Sequence, residues 1–250
     1  MGKNLGKIIF LNAVGLTIFF SWYLPAEHGF WFTLDKSIFY YFNEQLQPES
    51  SFTYFVGLTN VRHFDIISLM AMLALYGYYY SKQDHLGKRK MWFIGVTMLF
   101  FAVILNQLGH LIPVQRCSPT GFFENIHRVS KMLVFKAKDY SGDSFPGDHG
   151  LMLMIYAGFM LRYFGKKAFA VSCIILIIFM LPRIMAGAHW FTDIAVGSLS
   201  ISLVGLSWVL LTPVSDKCID FLNKIFPDKA DKNFSVHYSL KSPYADVPHH

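Results

Sequence analysis

Six apolar runs, each near the length needed to cross a bilayer, constrain this chain more than any other feature. They are Ile8–Leu24, Phe64–Tyr80, Met91–Leu108, Gly150–Phe164, Ala168–Pro182 and Asp193–Leu211. A helix crossing the hydrocarbon core needs about 20 mostly apolar residues. Several runs fall short of that, and flanking semi-polar residues complete them. Composition agrees: 54% of the 250 residues are hydrophobic and 15% charged, where soluble domains average about a quarter charged. Aromatic residues make up 17%, which suits a membrane because Trp and Tyr favour its interfaces. The expected fold class is an all-α integral membrane protein with six transmembrane helices. A single membrane domain is expected over residues 1–227, followed by a polar, flexible tail over 228–250. The first run follows Lys3 and Lys7 as a secretory signal would. The stretch Tyr23, Leu24, Pro25, Ala26, Glu27 is a poor cleavage site, however, so a retained anchor is expected.

The basic loops set an orientation. Lys82, Lys88, Arg89 and Lys90 follow the second run, Arg162, Lys166 and Lys167 the fourth, and Lys217, Lys224, Lys229 and Lys232 the sixth. Segment 25–63 instead balances Lys36 and Arg62 against Glu27, Asp35, Glu44 and Glu49. The positive-inside rule then places both termini in the cytoplasm and segments 25–63, 109–149 and 183–192 outside. Segment 109–149 departs from the rule, since it carries Arg116, Arg128, Lys131, Lys136 and Lys138. If the topology holds, those charges serve something anionic. Part of 30–46, with Phe30, Trp31, Phe32, Ile38, Phe39 and Phe42, reads either as an amphipathic segment lying on the outer interface or as an ordinary loop packed on the bundle.

A formal charge of +6 does not point to nucleic acid, because the cations are spread through short loops with no basic run in a polar setting. Cys117, Cys173 and Cys218 form no CxxC pair. The topology puts them outside, within a span and inside, so three free thiols are expected and no zinc site.

Two of the outer segments concentrate polar groups. One runs Arg183, Ile184, Met185, Ala186, Gly187, Ala188, His189 and on to Asp193. His189 and Asp193 are four apart, hence expected on one helical face. A carboxylate holding one imidazole nitrogen leaves the other free to attack. Arg183 offers a two-pronged clamp for phosphate oxygens. The alternative is interface packing, with Arg183 snorkelling to headgroups. The other segment is Ser144, Phe145, Pro146, Gly147, Asp148, His149, just ahead of the fourth run. A helix N-terminus there would bind phosphate through its N–H groups, and His149 could act as general acid. The alternative is a chain break with Asp148 as a cap. A looser third element is Arg116, Cys117, Ser118, Pro119.

These motifs resemble the type-2 phosphatidic acid phosphatase superfamily, whose pattern is K-x6-R-P, P-S-G-H and S-R-x5-H-x3-D. Arg183, His189 and Asp193 match the third motif, with Pro182 in place of Ser. Pro146 and His149 match the second, with Gly147 for Ser and Asp148 for Gly. Arg116 matches the first, but Pro119 comes two residues late and Gly109 stands where the Lys belongs. The strings at Asn4–Leu16, Ser144–Gly150, Pro182–Asp193 and Trp208–Asp216 further resemble the lipid A phosphotransferase branch of that family.

The resemblance implies a phosphatidic acid phosphatase type-2/haloperoxidase-like bundle in a bacterial inner membrane, with its active site facing the periplasm. It implies a phosphate moved from undecaprenyl diphosphate to the 1-phosphate of lipid A through a phosphohistidine. His189 would be the nucleophile, Asp193 its orienter and His149 the acid, with Arg116, Arg183 and the region of Gly147 and Asp148 holding phosphate. Lys138 is expected to replace the missing Lys. Asp148, a carboxylate beside an anionic substrate, is expected to pair with Lys138, Lys131 or Arg128, or to tune His149 or discourage water. No metal and no cofactor are needed, since arginines and backbone dipoles neutralise the charge. Membrane lipids are partners, and the sequence names no small membrane regulator. The rival readings are a lipid pyrophosphate phosphatase with water as acceptor and a non-catalytic lipid-binding protein.

Overall fold

A computed structural model describes residues 2–227. The expected tail, 228–250, lies outside the described residues. The described chain is helical: α1 Gly2–Tyr23, α2 Phe30–Asn43, α3 Ser51–Leu58, α4 Arg62–Ser81, α5 His85–His110, α6 Pro119–Phe122, α7 Val129–Met132, α8 Asp148–Met185, α9 Leu199–Leu211 and α10 Val214–Ile225. A π-helical turn, Asp193–Ser198, leads into α9.

Among the described residues, four stretches are long and apolar enough to cross a membrane: Asn4–Tyr23, His85–His110, Asp148–Met185 and Asp193–Leu211. The pair α3 and α4, bent by 67°, makes a fifth if counted together. Many of the large apolar side chains face outward. Phe10 is 65% exposed on α1 and Val103 61% exposed on α5, as expected of helices solvated by lipid rather than by water.

The expected runs Gly150–Phe164 and Ala168–Pro182 both fall in α8. Its 38 residues are interrupted at Gly165, whose φ of 86° and ψ of −175° lie outside the helical region. Only glycine adopts this backbone without strain. A straight helix of that length would extend about 57 Å. Yet His149 near its start and Arg183 near its end both reach Asp65 of α4. The chain therefore reverses at Gly165, and α8 is two antiparallel helices.

Packing follows from small and polar residues between apolar helices. Gly15 of α1 lets α9 approach so closely that a Cβ there would lie 3.0 Å from Val204 Cγ2. Asn12 donates to Ser207 Oγ at 2.7 Å, and Trp208 Nε1 donates to Asn12 Oδ1 at 3.1 Å. The main core joins α5, the first half of α8 and α9 through Phe101, Leu105, Leu151, Ile155, Phe159 and Leu206. At one end of this bundle, α10 is held by the Arg162–Asp216 ion pair at 3.0 Å and by Tyr163 donating to Ser215 at 2.9 Å. The loops 25–63, 109–149 and 183–192 gather at the other end. Cys117, Cys173 and Cys218 are unpaired thiols.

Candidate active site

The reversal at Gly165 returns the chain to the end where it began, so the polar segments before and after α8 meet. His189 sits in the turn between α8 and the π-helical turn. It is therefore not on a helical face with Asp193, as the four-residue spacing had suggested. Gly187, at φ 71°, bends the chain there, and a Cβ would lie 2.6 Å from Phe39. The contact survives by another route. Asp193 accepts at 2.8 Å from the N–H of Trp190, three residues before it, as the downstream carboxylate of a capping box does, and its Oδ2 lies 3.3 Å from His189 Nδ1. The Ser144 carbonyl lies 3.1 Å from the same nitrogen. Both neighbours are acceptors, so Nδ1 carries the proton and Nε2 keeps the lone pair. His189 is nearly buried and Asp193 fully so.

Arg116 stands behind Asp193. Its Nη2 donates to Asp35 Oδ2 at 2.7 Å and its Nη1 to Thr192 Oγ1 at 2.7 Å, with Asp193 Oδ1 at 3.4 Å from Nη1. The guanidinium stacks on the Trp190 ring at 4.2 Å. Asp35 also accepts from the Thr192 N–H at 3.0 Å and from its hydroxyl at 2.5 Å. Burial pushes the Asp35 carboxyl above the ordinary carboxylate range, and Arg116 and Thr192 pull it back. The Ser144 N–H donates to the Arg116 carbonyl at 2.7 Å. Arg116 thus braces both groups that hold His189 Nδ1, and its charged donors are occupied by protein.

The turn before α8 places Gly147 at φ 75°, where a Cβ would meet the Asp193 carbonyl oxygen at 3.1 Å. Ser198 Oγ lies within donating distance of both the Pro146 and Gly147 carbonyls, at 2.7 and 2.8 Å. This fixes the first turn of α8 against the π-helical turn. The leading N–H groups of a helix have no partner within it, and here they belong to Asp148 and His149. Gly147 is the N-cap of α8, so Asp148 is not the cap. Asp148 pairs with His110 at 3.2 Å, while Arg128 pairs with Asp139 at 2.6 Å.

His149 Nε2 lies 3.6 Å from Asp65 Oδ1, and that oxygen also accepts from Arg183 Nη2. Arg183 is 4% exposed in its side chain. Burial pulls the His149 imidazole below its ordinary value, the Asp65 charge opposes that, and the charges of Arg183, His189 and Lys138 add to it. The Lys138 side chain is exposed, but its backbone is fixed: its N–H donates to the Asn60 carbonyl at 2.8 Å. Asn60 Nδ2 in turn donates to the Pro182 carbonyl at 2.9 Å.

His189, Asp193, His149 and Arg183 thus converge, the backbone of Lys138 is tied through Asn60 to the turn that carries Arg183, and Arg116 supports the site from behind. Of the five cations in segment 109–149, Arg116 and Arg128 are matched by internal carboxylates. Lys131, Lys136 and Lys138 are exposed, with no ion pair among the described residues. Sequence reading missed Asp35, Asp65 and the Ser144 carbonyl. Asp65 carries a usable signal, since a carboxylate at the head of an apolar run is expensive without a partner. Asp35 and a backbone oxygen carry none. Among the described residues, no group of three His, Cys, Asp or Glu side chains is arranged to hold a metal ion. What the arrangement offers is a free imidazole nitrogen beside a buried guanidinium and a second imidazole, the components of phosphoryl transfer through a histidine.

Known proteins agree with this chemistry. The family model described as the PAP2 superfamily matches residues 90–215. Over 235 residues the chain is 53% identical to the lipid A 1-diphosphate synthase of Escherichia coli (strain K12), covering 94% of this chain and 99% of that protein. No solved structure matches it. On both grounds the chain belongs to the PAP2 superfamily, the type-2 phosphatidic acid phosphatases that its motifs resemble.

Proposed function

We propose that this protein is a phosphotransferase that makes lipid A 1-diphosphate, taking the phosphate from undecaprenyl diphosphate and releasing undecaprenyl phosphate. The observation that carries the reading is the back of His189: Nδ1 is held by Ser144 and Asp193, which leaves Nε2 as the attacking atom. The similarity to the Escherichia coli synthase supports the acceptor, and the donor follows from the branch its strings resemble.

The terminal phosphoryl of the donor is held by Arg183, Lys138 and the N–H groups at the start of α8, near Gly147 and Asp148, where its equatorial charge is neutralised. His189 Nε2 attacks in line. A P–N bond forms, the bridging P–O bond breaks, and His149 assists the departing oxygen. The 1-phosphate of lipid A then attacks the phosphohistidine, and the electron pair of the P–N bond returns to Nε2. An anionic phosphate needs little help from a base, so this half makes a smaller demand on His149. Arg116 acts through Asp193 rather than on the phosphate.

The same reading makes the chain a six-span protein, with the two halves of α8 as separate spans and α4 as another. Both termini lie in the cytoplasm and the site faces the periplasm. The basic loops and the gathering of segments 25–63, 109–149 and 183–192 at one end support that orientation.

The test follows the label from undecaprenyl diphosphate marked at its terminal phosphate, with purified protein in detergent, with and without lipid A. Label on lipid A, absent in His189→Ala, is the expected result. Label released only as free phosphate, whether or not lipid A is present, would mean water is the acceptor and the protein a phosphatase.

A further inference from the structure

Asp65 belongs to none of the three motifs, yet it touches two of their residues. Its Oδ1 accepts from Arg183 and lies 3.6 Å from His149 Nε2. Its place is set by the bend between α3 and α4. Asn60, in that bend, donates to the Val56 carbonyl at 2.8 Å and to the Pro182 carbonyl at 2.9 Å. The bend is thereby tied to the turn of α8 that carries Arg183, and Asp65 follows in the first turn of α4.

The two carboxylates of the site are built differently. Asp193 is fully buried and engaged by Trp190, His189 and Arg116. Asp65 is 34% exposed and engaged by Arg183 and His149. A guanidinium 4% exposed cannot be left without a counter-charge at low cost, and Asp65 supplies one. An incoming phosphoryl group needs the same donors.

We propose that Asp65 is a positioning residue that holds Arg183 before the donor binds and passes to His149 when the phosphoryl group takes Arg183. This rests on the phosphotransferase reading. In the loaded site, Asp65 faces one cation fewer, and its negative charge favours the protonated imidazole of His149 against burial and the opposing charges of Arg183, His189 and Lys138. As His189 Nε2 forms its bond to phosphorus and the bridging P–O bond breaks, the proton of His149 goes to the departing oxygen. Asp65 gives up no proton. His149, whose side chain is 45% exposed, takes one back from solvent. Asp65 therefore acts on the loading of His189 and not on the delivery of phosphate to lipid A.

The experiment separates the two halves in the full-length protein. Loading is followed as label retained on protein after an alkaline denaturing quench, from labelled undecaprenyl diphosphate without lipid A. Delivery is followed by stripping donor from loaded protein and adding lipid A. In Asp65→Asn, loading is expected to slow by about tenfold to a hundredfold, the donor KM to stay level or fall, and delivery to remain within about twofold of the unaltered protein. Asp65→Glu, which keeps the carboxylate and guards against misfolding of the neutral variant, should recover most of the loading rate. Equal slowing of both halves, unchanged loading, or no recovery in Asp65→Glu would overturn the proposal. Absence of label from the unaltered protein would instead overturn the phosphohistidine step, and loaded unaltered protein that releases its label only as free phosphate when lipid A is added would overturn the phosphotransferase reading itself.

Discussion

Arg116 and Arg183 look alike in sequence, each a motif arginine expected to hold phosphate, and both are buried, at 9% and 4% exposure of the side chain. Their surroundings differ. Arg116 lies against Trp190 and is engaged by Asp35, Thr192 and Asp193, of which both carboxylates are fully buried. Arg183 has Asp65, which is one-third exposed and shared with His149. A charge locked among buried partners is architecture, because moving it would strand other charges. A charge with one partly solvated partner can exchange that partner for a ligand. The motif supplies two arginines, and burial of their counter-charges divides the labour between them.

The largest effect that would sharpen this contrast is on turnover. Arg183→Ala should lower kcat for phosphate transfer by about a hundredfold to a thousandfold, measured with labelled donor. Arg183→Lys should recover little of it, since a point charge does not replace a planar fork. Arg116→Ala should act first on stability, by about 3–5 kcal/mol as Asp35 loses its cation. Unfolding in detergent would read this, with activity lost because Asp193 is no longer braced. If Arg116→Ala unfolded as the unaltered protein does, the division would break. Asp35→Asn should cost less, roughly 1–3 kcal/mol, since it weakens the hydrogen bonds to Arg116 and Thr192 without emptying the space. The smallest effect is expected of Lys138→Ala. Its donor KM should rise several-fold, most at low salt because an exposed charge is screened, with unfolding unchanged. Intact donor affinity in that variant would remove Lys138 from the site.

Much of the fold is legible because lipid imposes its rule on the sequence directly. The apolar runs at Met91–Leu108 and Asp193–Leu211 lie within stretches that qualify as membrane-crossing helices. The basic turn at Arg162, Lys166 and Lys167 marks the place where α8 reverses at Gly165. Residues 30–43 fold as α2, a helix, and it turns Asp35 and Phe39 inward toward the site. The spacing of His189 and Asp193 gave the right pair for the wrong reason. Four residues suggested a helical face, whereas a glycine turn and a cap bring them together. Asp35 was not legible as a site residue, because a single carboxylate has no periodicity, and Asp65 at the head of its apolar run signalled that it needs a partner without showing which, since the partners lie far away in sequence. Asp35 meets Thr192, and Asp65 meets Arg183, only after the bundle closes. Asp148 shows the same limit. Sequence neighbours suggested Lys138, Lys131 or Arg128 as its partner, and the fold supplies His110.

The central claim is that phosphate travels on Nε2 of His189. The most direct measurement is to quench the protein during turnover with labelled undecaprenyl diphosphate, digest it, and locate the label by mass spectrometry. The account predicts an acid-labile, alkali-stable phosphoryl group on the peptide carrying His189, absent in His189→Ala and discharged by adding lipid A. Label on His149, or transfer to lipid A with no labelled histidine at any time, would contradict it.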